Sequence, residues 1–329
     1  MQVKTDTAPT ALTGIKPSGE PHVGNYLGTI RPALRLAETY HTIYFIADYH
    51  ALTTVHEGAE LREYTDVIAA TWLAFGLDPE RTLFYRQSDV PQIPELAWIL
   101  SCFTPKGLLD RAHAYKDALA RQQEISAGLY SYPVLMAADI LAFRAQWVPV
   151  GRDQKQHVEI CRDLAMNFNR AYGEILTVPE ALIQAEVETI PGTDGRKMSK
   201  SYGNVLPLFG EAQALRKLIM RIPTDSTPVE APKDPETALP FQLYRHFATP
   251  AERDELAARL RQGGAGWAAV KQALAEVLER ELAEPRRRYQ DWMSGERKRL
   301  HAALDAGGEK ARTLANKLLT NVRRAVGVR

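Results

Sequence analysis

The sequence predicts an α/β protein: a doubly wound, mostly parallel sheet fills the first two hundred residues, and helices fill the rest. Three observations predict it. Short β-rich runs alternate with longer amphipathic runs as far as about residue 205, which is the pattern of strand–helix–strand units. Two of those runs end in glycine-containing turns that open helices, as strand ends do in such folds. Beyond residue 206 the β signal fades and Ala, Leu, Glu and Arg dominate.

Each element can be justified in turn. "TALTGI" is an apolar run that stops at a turn containing Pro17, Ser18 and Gly19. A helix is expected from about 24 to 39. "HTIYFIAD" (41–48) reads as a buried strand, and "RTLFYRQ" (81–87) and "QWVPV" (146–150) read likewise. Helices are expected near 60–76, 92–103 and 133–145, with Pro133 in the first turn of the last. The boundary falls near 205, giving an α/β domain over 1–205 and a helical region over 206–329. "STPVEAPKDPETALP" (226–240) holds four prolines and reads as a loop, between helical stretches at 211–222, 251–262 and 266–292. A last helix over 307–327 carries Lys310, Arg312, Lys317, Arg323 and Arg324. That basic face is either solvated or turned to a nucleic-acid backbone.

Composition excludes several classes. The chain has 329 residues, 45% hydrophobic and 25% charged, with a net charge of +1. There is no global pull toward polyanions, so nucleic acid would need a local patch. Cys102 and Cys161 are too few for a disulfide framework and fit a reducing cytoplasm. The N-terminal residues show no signal-peptide pattern, and no apolar run approaches a membrane span.

Two stretches point to phosphate. "TDGRKMSKSYGN" (193–204) places Arg196, Lys197 and Lys200 within five positions, with Ser199 and Ser201 among them and Gly195 and Gly203 to either side. "GIKPSGEPHVGNYLG" (14–28) follows a strand with a turn and a helix start. Free N–H groups and the helix dipole favour an anion there. His22 and Asn25 add donors, and Gly24 lets a ligand approach the backbone. No Walker sequence occurs. Read singly, the first stretch is a charged loop and the second a helix start.

Together, "HVGN" and "KMSKS" resemble the paired HIGH and KMSKS signatures of class I aminoacyl-tRNA synthetases, which implies a Rossmann-like catalytic domain. The middle of the chain narrows the likeness. In "GLYSYPVLMAADILAF" (128–143), Tyr132, Met136, Asp139 and Phe143 share one helix face. A carboxylate there needs a hydrogen-bond donor, from inside the protein or from a ligand. In "VPVGRDQKQHVEI" (148–160), Gly151 ends a strand and Asp153–Gln154 open a helix. These strings and "PRRRYQDW" (285–292) resemble tryptophanyl-tRNA synthetases of the bacterial type over nearly the whole chain.

That resemblance implies a set of roles. Lys197 and Lys200 would neutralise the triphosphate as pyrophosphate departs, with His22 and Asn25 assisting. Lys16, Pro17, Ser18, Gly24, Gly151, Asp153, Met198 and Ser199 would meet ATP, Met198 at the adenine and Asp153 and Gly151 at the ribose. Asp139 would accept the indole N–H, a donor only. Met136, Val148 and Val150 would wall the ring, and Tyr132, Gln154 and His50 would hold the rest of tryptophan. Lys16 stands where the family commonly has Gln. Ala118 stands where a mobile-loop lysine is common, and Lys116 would substitute.

The implied partners are ATP with Mg²⁺, L-tryptophan and tRNA(Trp), in a cytoplasmic homodimer with no protein-held metal and no membrane. A tyrosyl enzyme shares the architecture and also uses an Asp in its pocket. An idle paralogue serving as an RNA-binding module is the other alternative.

Overall fold

A computed structural model describes residues 8–122, 124–151, 154–183 and 189–328. Five parallel strands form one sheet: β1 (Thr10–Ile15), β2 (His41–Ile46), β3 (Leu83–Arg86), β4 (Trp147–Val150) and β5 (Glu180–Ile183). Their order is β3-β2-β1-β4-β5. β1 pairs with β2 over six residues, Thr10 opposite His41 through Ile15 opposite Ile46. Strand order therefore reverses between β1 and β4. In such sheets the crevice at that switch, outside the carboxyl ends, is where ligands bind.

The period-two alternation of the strands builds two cores, one on each face. Tyr44, Ile46 and Phe84 join Val23, Ile30, Trp72 and the helices after residue 206. Ile43, Phe45 and Tyr85 join Ile93, Leu96, Val134, Ile140, Val158 and Phe168. Strands covered on both faces read as continuous apolar runs, as "HTIYFI" does.

Helix boundaries depart from expectation where proline or glycine misleads. The first helix runs from Val23 to Leu36, but Tyr26–Ile30 is a π turn in which the Arg31 N–H reaches the Tyr26 carbonyl. Pro32 lacks an N–H and its ring crowds the preceding turn, so the helix widens there. The helix expected over 133–145 is Ala127–Leu141, and Pro133 lies inside it. Ser126 sets its true start, accepting from the Leu129 N–H at 3.1 Å. Helices Gly58–Ala74 and Gln92–Ser101 lie close to expectation. The short edge strand β5 and the helices Lys106–Leu109 and His113–Ala120 carry no clear sequence signal.

The last helix is longer than expected, Arg297–Val326, with Gly307 and Gly308 in its interior. It crosses the open edge of β3. A Cβ on Gly307 would stand 1.8 Å from the Phe84 carbonyl oxygen, and one on Gly308 2.7 Å from Asp89 Cβ. Before the crossing Leu300 and Leu304 enter one core; after it Ala311, Ala315, Leu318 and Val322 enter the other. Its cations hold it there. Arg312 donates to the Asp89 carbonyl at 2.9 Å, and Arg323 pairs with Glu95. Lys310 lies 3.9 Å from Glu80. Much of the basic face thus docks the helix on the sheet domain.

Candidate active site

The carboxyl end of β1 leads into the first phosphate-type turn. Lys16 leaves the strand and its ammonium donates to Thr53 Oγ1 at 2.9 Å. Burial pushes its pKa down. Pro17 is buried and Ser18 exposed. Gly19 sits at φ +107°, a left-handed conformation suited to glycine. His22 precedes the helix; its N–H donates to Asn25 Oδ1 at 3.0 Å. The imidazole is buried and held neutral, its pKa lowered to about 4 by burial and then by Lys200. Its Nδ1 is a buried polar atom with no partner among the described residues.

The second stretch folds back onto this turn. Val23 N–H donates to the Leu206 carbonyl at 2.9 Å, and His22 pairs with Pro207 as an isolated bridge. Lys200 Nζ reaches the Ser18 carbonyl at 3.1 Å across 182 positions of sequence. Partial burial pushes the Lys200 pKa down. The three cations of the stretch therefore differ. Arg196 binds Asp194 (Nε to Oδ2, 2.7 Å) and stands over the Tyr202 ring at 4.5 Å. Lys200 touches the first turn, and Lys197 is exposed.

Met198, expected at the adenine, packs against the helix start. It is 4% exposed, and its Sδ lies 3.2 Å from the Gly24 N–H. A thioether packs beside a glycine that has no side chain to displace it, so Met198 ties the loop to the helix start. Ser199 N–H donates to Asn204 Oδ1 at 2.8 Å.

Beyond the first turn lies a buried polar cluster. Asp139 is 0% exposed. Its carboxylate accepts from Gln87 Nε2 at 2.8 and 3.0 Å and lies 2.8 Å from His50 Nε2. Burial pushes its pKa up, against the pull of His50 and Gln87. Gln87 Oε1 accepts from the Tyr49 and His50 N–H groups at 3.1 and 3.4 Å. The amide is thereby oriented with its NH₂ toward Asp139. Tyr132 Oη is 2.6 Å from His157 Nε2, and the His50 and Tyr132 rings meet edge-on at 5.9 Å.

Gln87 and His157 were missed in the sequence. Gln87 follows the carboxyl end of a parallel strand, which is a signal; His157 lies one turn into a helix and had none.

The remaining expected residues divide. Val148 and Val150 are buried on β4, and Met136 is half-buried. Gly151 follows β4 on the crevice side and accepts from the Gln154 N–H at 3.1 Å. Gln154 is exposed at the start of helix Lys155–Tyr172. Asp153 lies outside the described residues. Lys116 is exposed on His113–Ala120. Ala118 is 3% exposed, so the position the family commonly gives to lysine faces the interior here. No helix of the described residues is long and apolar enough to cross a membrane.

The chain matches the family "tRNA synthetases class I (W and Y)" over residues 4–283. It is 48% identical over 329 residues to the tryptophan–tRNA ligase of Neisseria meningitidis, covering 97% of each chain. It is 49% identical over 318 residues to that of Rhodopirellula baltica, covering 97% of this chain and 99% of the relative. Among solved structures it superposes with TM-score 0.91 and 44% identity on tryptophanyl-tRNA synthetase of Campylobacter jejuni complexed with ADP and tryptophan. That match covers 97% of this chain and 100% of the other.

Proposed function

Because this chain belongs to the class I tRNA synthetases for tryptophan and tyrosine, we propose how its own residues carry the reaction of a tryptophan–tRNA ligase. It activates L-tryptophan with ATP, giving tryptophanyl-AMP and pyrophosphate, and transfers the tryptophanyl group to tRNA(Trp). The relatives are tryptophan enzymes at high identity over full length, so the tyrosyl reading is not favoured.

The carboxylate of tryptophan attacks the α-phosphorus in line. It is already ionised, so the first step needs no general base. Catalysis is positioning and charge stabilisation. Lys197 and Lys200 follow the departing pyrophosphate as mobile point charges. Lys16 adds a half-buried cation held by a neutral hydroxyl. Neutral His22, with an unpartnered Nδ1, and Asn25 complete the phosphate turn. Magnesium would enter with ATP as part of the substrate and help neutralise the charge on its phosphates.

Asp139 accepts the indole N–H, with Gln87 holding the carboxylate in place. Because Asp139 is enclosed, the incoming donor takes a place now held by His50, whose ring reaches the surface (13% against 1% for the Asp139 side chain). Val148, Val150 and Met136 wall the ring. Tyr132, braced by His157, and Gln154 hold the amino-acid end. The helical region after 206 contacts tRNA, and the enzyme works as a cytoplasmic homodimer, as its family resemblance implies.

The observation that carries this reading is the Lys200–Ser18 contact, which joins two phosphate-type segments at the sheet's switch point. Its test is Lys200→Ala in single-turnover kinetics. Formation of tryptophanyl-AMP should fall by roughly 10²-fold or more, the scale of one lost transition-state donor. Transfer from preformed tryptophanyl-AMP should suffer less. Equal losses in both steps would overturn the assignment. ATP–pyrophosphate exchange with each amino acid checks the choice of tryptophan.

A further inference from the structure

We propose that Asn204 is a positioning residue for adenylate formation, its buried amide setting the backbone from which Lys197 and Lys200 reach the triphosphate. The proposal rests on the reading above that this loop handles pyrophosphate.

Asn204 is 2% exposed. Its Oδ1 accepts from the Ser199 N–H at 2.8 Å. Its Nδ2 donates to Asp194 Oδ1 at 2.6 Å and to the Lys197 carbonyl at 3.1 Å. Its own carbonyl accepts from the Thr193 N–H at 2.9 Å. The amide thus grips the backbone at Lys197 and at Ser199, the residue before Lys200. It also fixes Asp194, which holds Arg196.

Only an amide fits this position. It offers an acceptor and two donors on one planar group; aspartate lacks the donors. Gly203, at φ +63°, turns the chain so that Asn204 lies beneath the loop. Gly192 makes room for it: a Cβ there would stand 2.3 Å from Asn204 Cγ and Nδ2. A buried polar network of this kind specifies one geometry when complete and costs most when partly broken. The lysines themselves are long and flexible. What fixes where they start is the backbone that Asn204 holds.

Two substitutions separate positioning from simple folding. Asn204→Asp keeps the acceptor for Ser199, loses both donors and faces the Asp194 carboxylate. Asn204→Ala loses all three side-chain bonds. Three readouts are needed: single-turnover formation of tryptophanyl-AMP, transfer from preformed tryptophanyl-AMP to tRNA, and tryptophan binding by calorimetry.

Adenylate formation should fall by about 10–10²-fold in both variants, the scale of a displacement near 1 Å. Tryptophan affinity should stay within about twofold and transfer within about threefold, since these changes lie below about 0.7 kcal/mol. Adding Asp194→Asn to Asn204→Asp restores a donor across that pair and should recover part of the loss, as coupled neighbours do. Unchanged adenylate formation, equal losses in both steps, loss of tryptophan binding, or no recovery in the double variant would each overturn the proposal. Lys200→Ala, run alongside, tells the two readings apart. If it slows adenylate formation while the Asn204 variants do not, only the role of Asn204 falls.

Discussion

Burial holds the His22 imidazole down at about 4, and Lys200 adds to the effect. The sign of the linkage follows. The unfolded chain binds a proton at His22 near pH 6.5, and the folded chain only near 4. Stability from this group is present above 6.5 and is lost as pH falls toward 4, on the order of 3 kcal/mol in all. Urea melts between pH 7 and 4 should show a fall that His22→Asn makes shallower; an identical slope in the variant would remove His22 as its source.

Asp139 makes a second residue-scale case. Asp139→Ala strips the indole acceptor and leaves the Gln87 NH₂ buried without its partner. A hydrogen bond to a charged group contributes about 1.5–3 kcal/mol. Tryptophan kcat/KM should therefore fall by roughly 10–10²-fold, while the KM for ATP changes little. Unchanged tryptophan kinetics would remove Asp139 from the pocket.

At this scale the sequence was readable only in part. Asp139 stood out because a carboxylate on an apolar helix face requires a donor. Its actual partners, Gln87 and His50, come from the 3-10 turn after β3 and from the short helix after β2. No local pattern marks such a meeting. The packing of Met198 on Gly24 was illegible for the same reason, since the two lie 174 positions apart.

Among the elements, strands were more legible than helix ends. Buried parallel strands announce themselves as apolar runs. Helix ends depend on caps and on what lies across the interface, and proline and glycine read as punctuation when tertiary packing has put them inside. Pro133 and the pair Gly307–Gly308 are such cases. Gly307→Ala makes the point testable. Helix propensity alone favours alanine by about 1 kcal/mol. The new Cβ would meet a strand carbonyl at 1.8 Å, which cannot yield as a flexible side chain would. Overpacking of this kind costs about 1–3 kcal/mol. The geometry should win, and denaturant melts should show destabilisation. A more stable variant would mean that the helix lifts freely from β3.

At the scale of the whole molecule, the doubly wound sheet was legible from alternation, and the helical character after residue 206 from composition. What sequence could not show is how the two parts share their interiors. Val23, Ile46 and Trp72 lie in one core with Leu215, Phe241, Leu274 and Leu304. A fragment of residues 1–205 would expose that surface and leave β3 unprotected. It should be insoluble, or fail to bind tryptophan. A fragment that folds and gives ATP–pyrophosphate exchange would show that the sheet domain is self-sufficient.

The helix across β3 also imposes an order on the protein's birth. Some 220 residues separate Phe84 from Gly307. At roughly 5–20 residues per second of synthesis, β3 leaves the ribosome about 10–45 s before its cover does. Through that interval a strand edge with unpaired N–H and C=O groups is open to any passing chain. Helix Arg297–Val326 is thus a late closing step for β3, and a ribosome stalled short of it would hold a nascent chain that invites chaperones or aggregation.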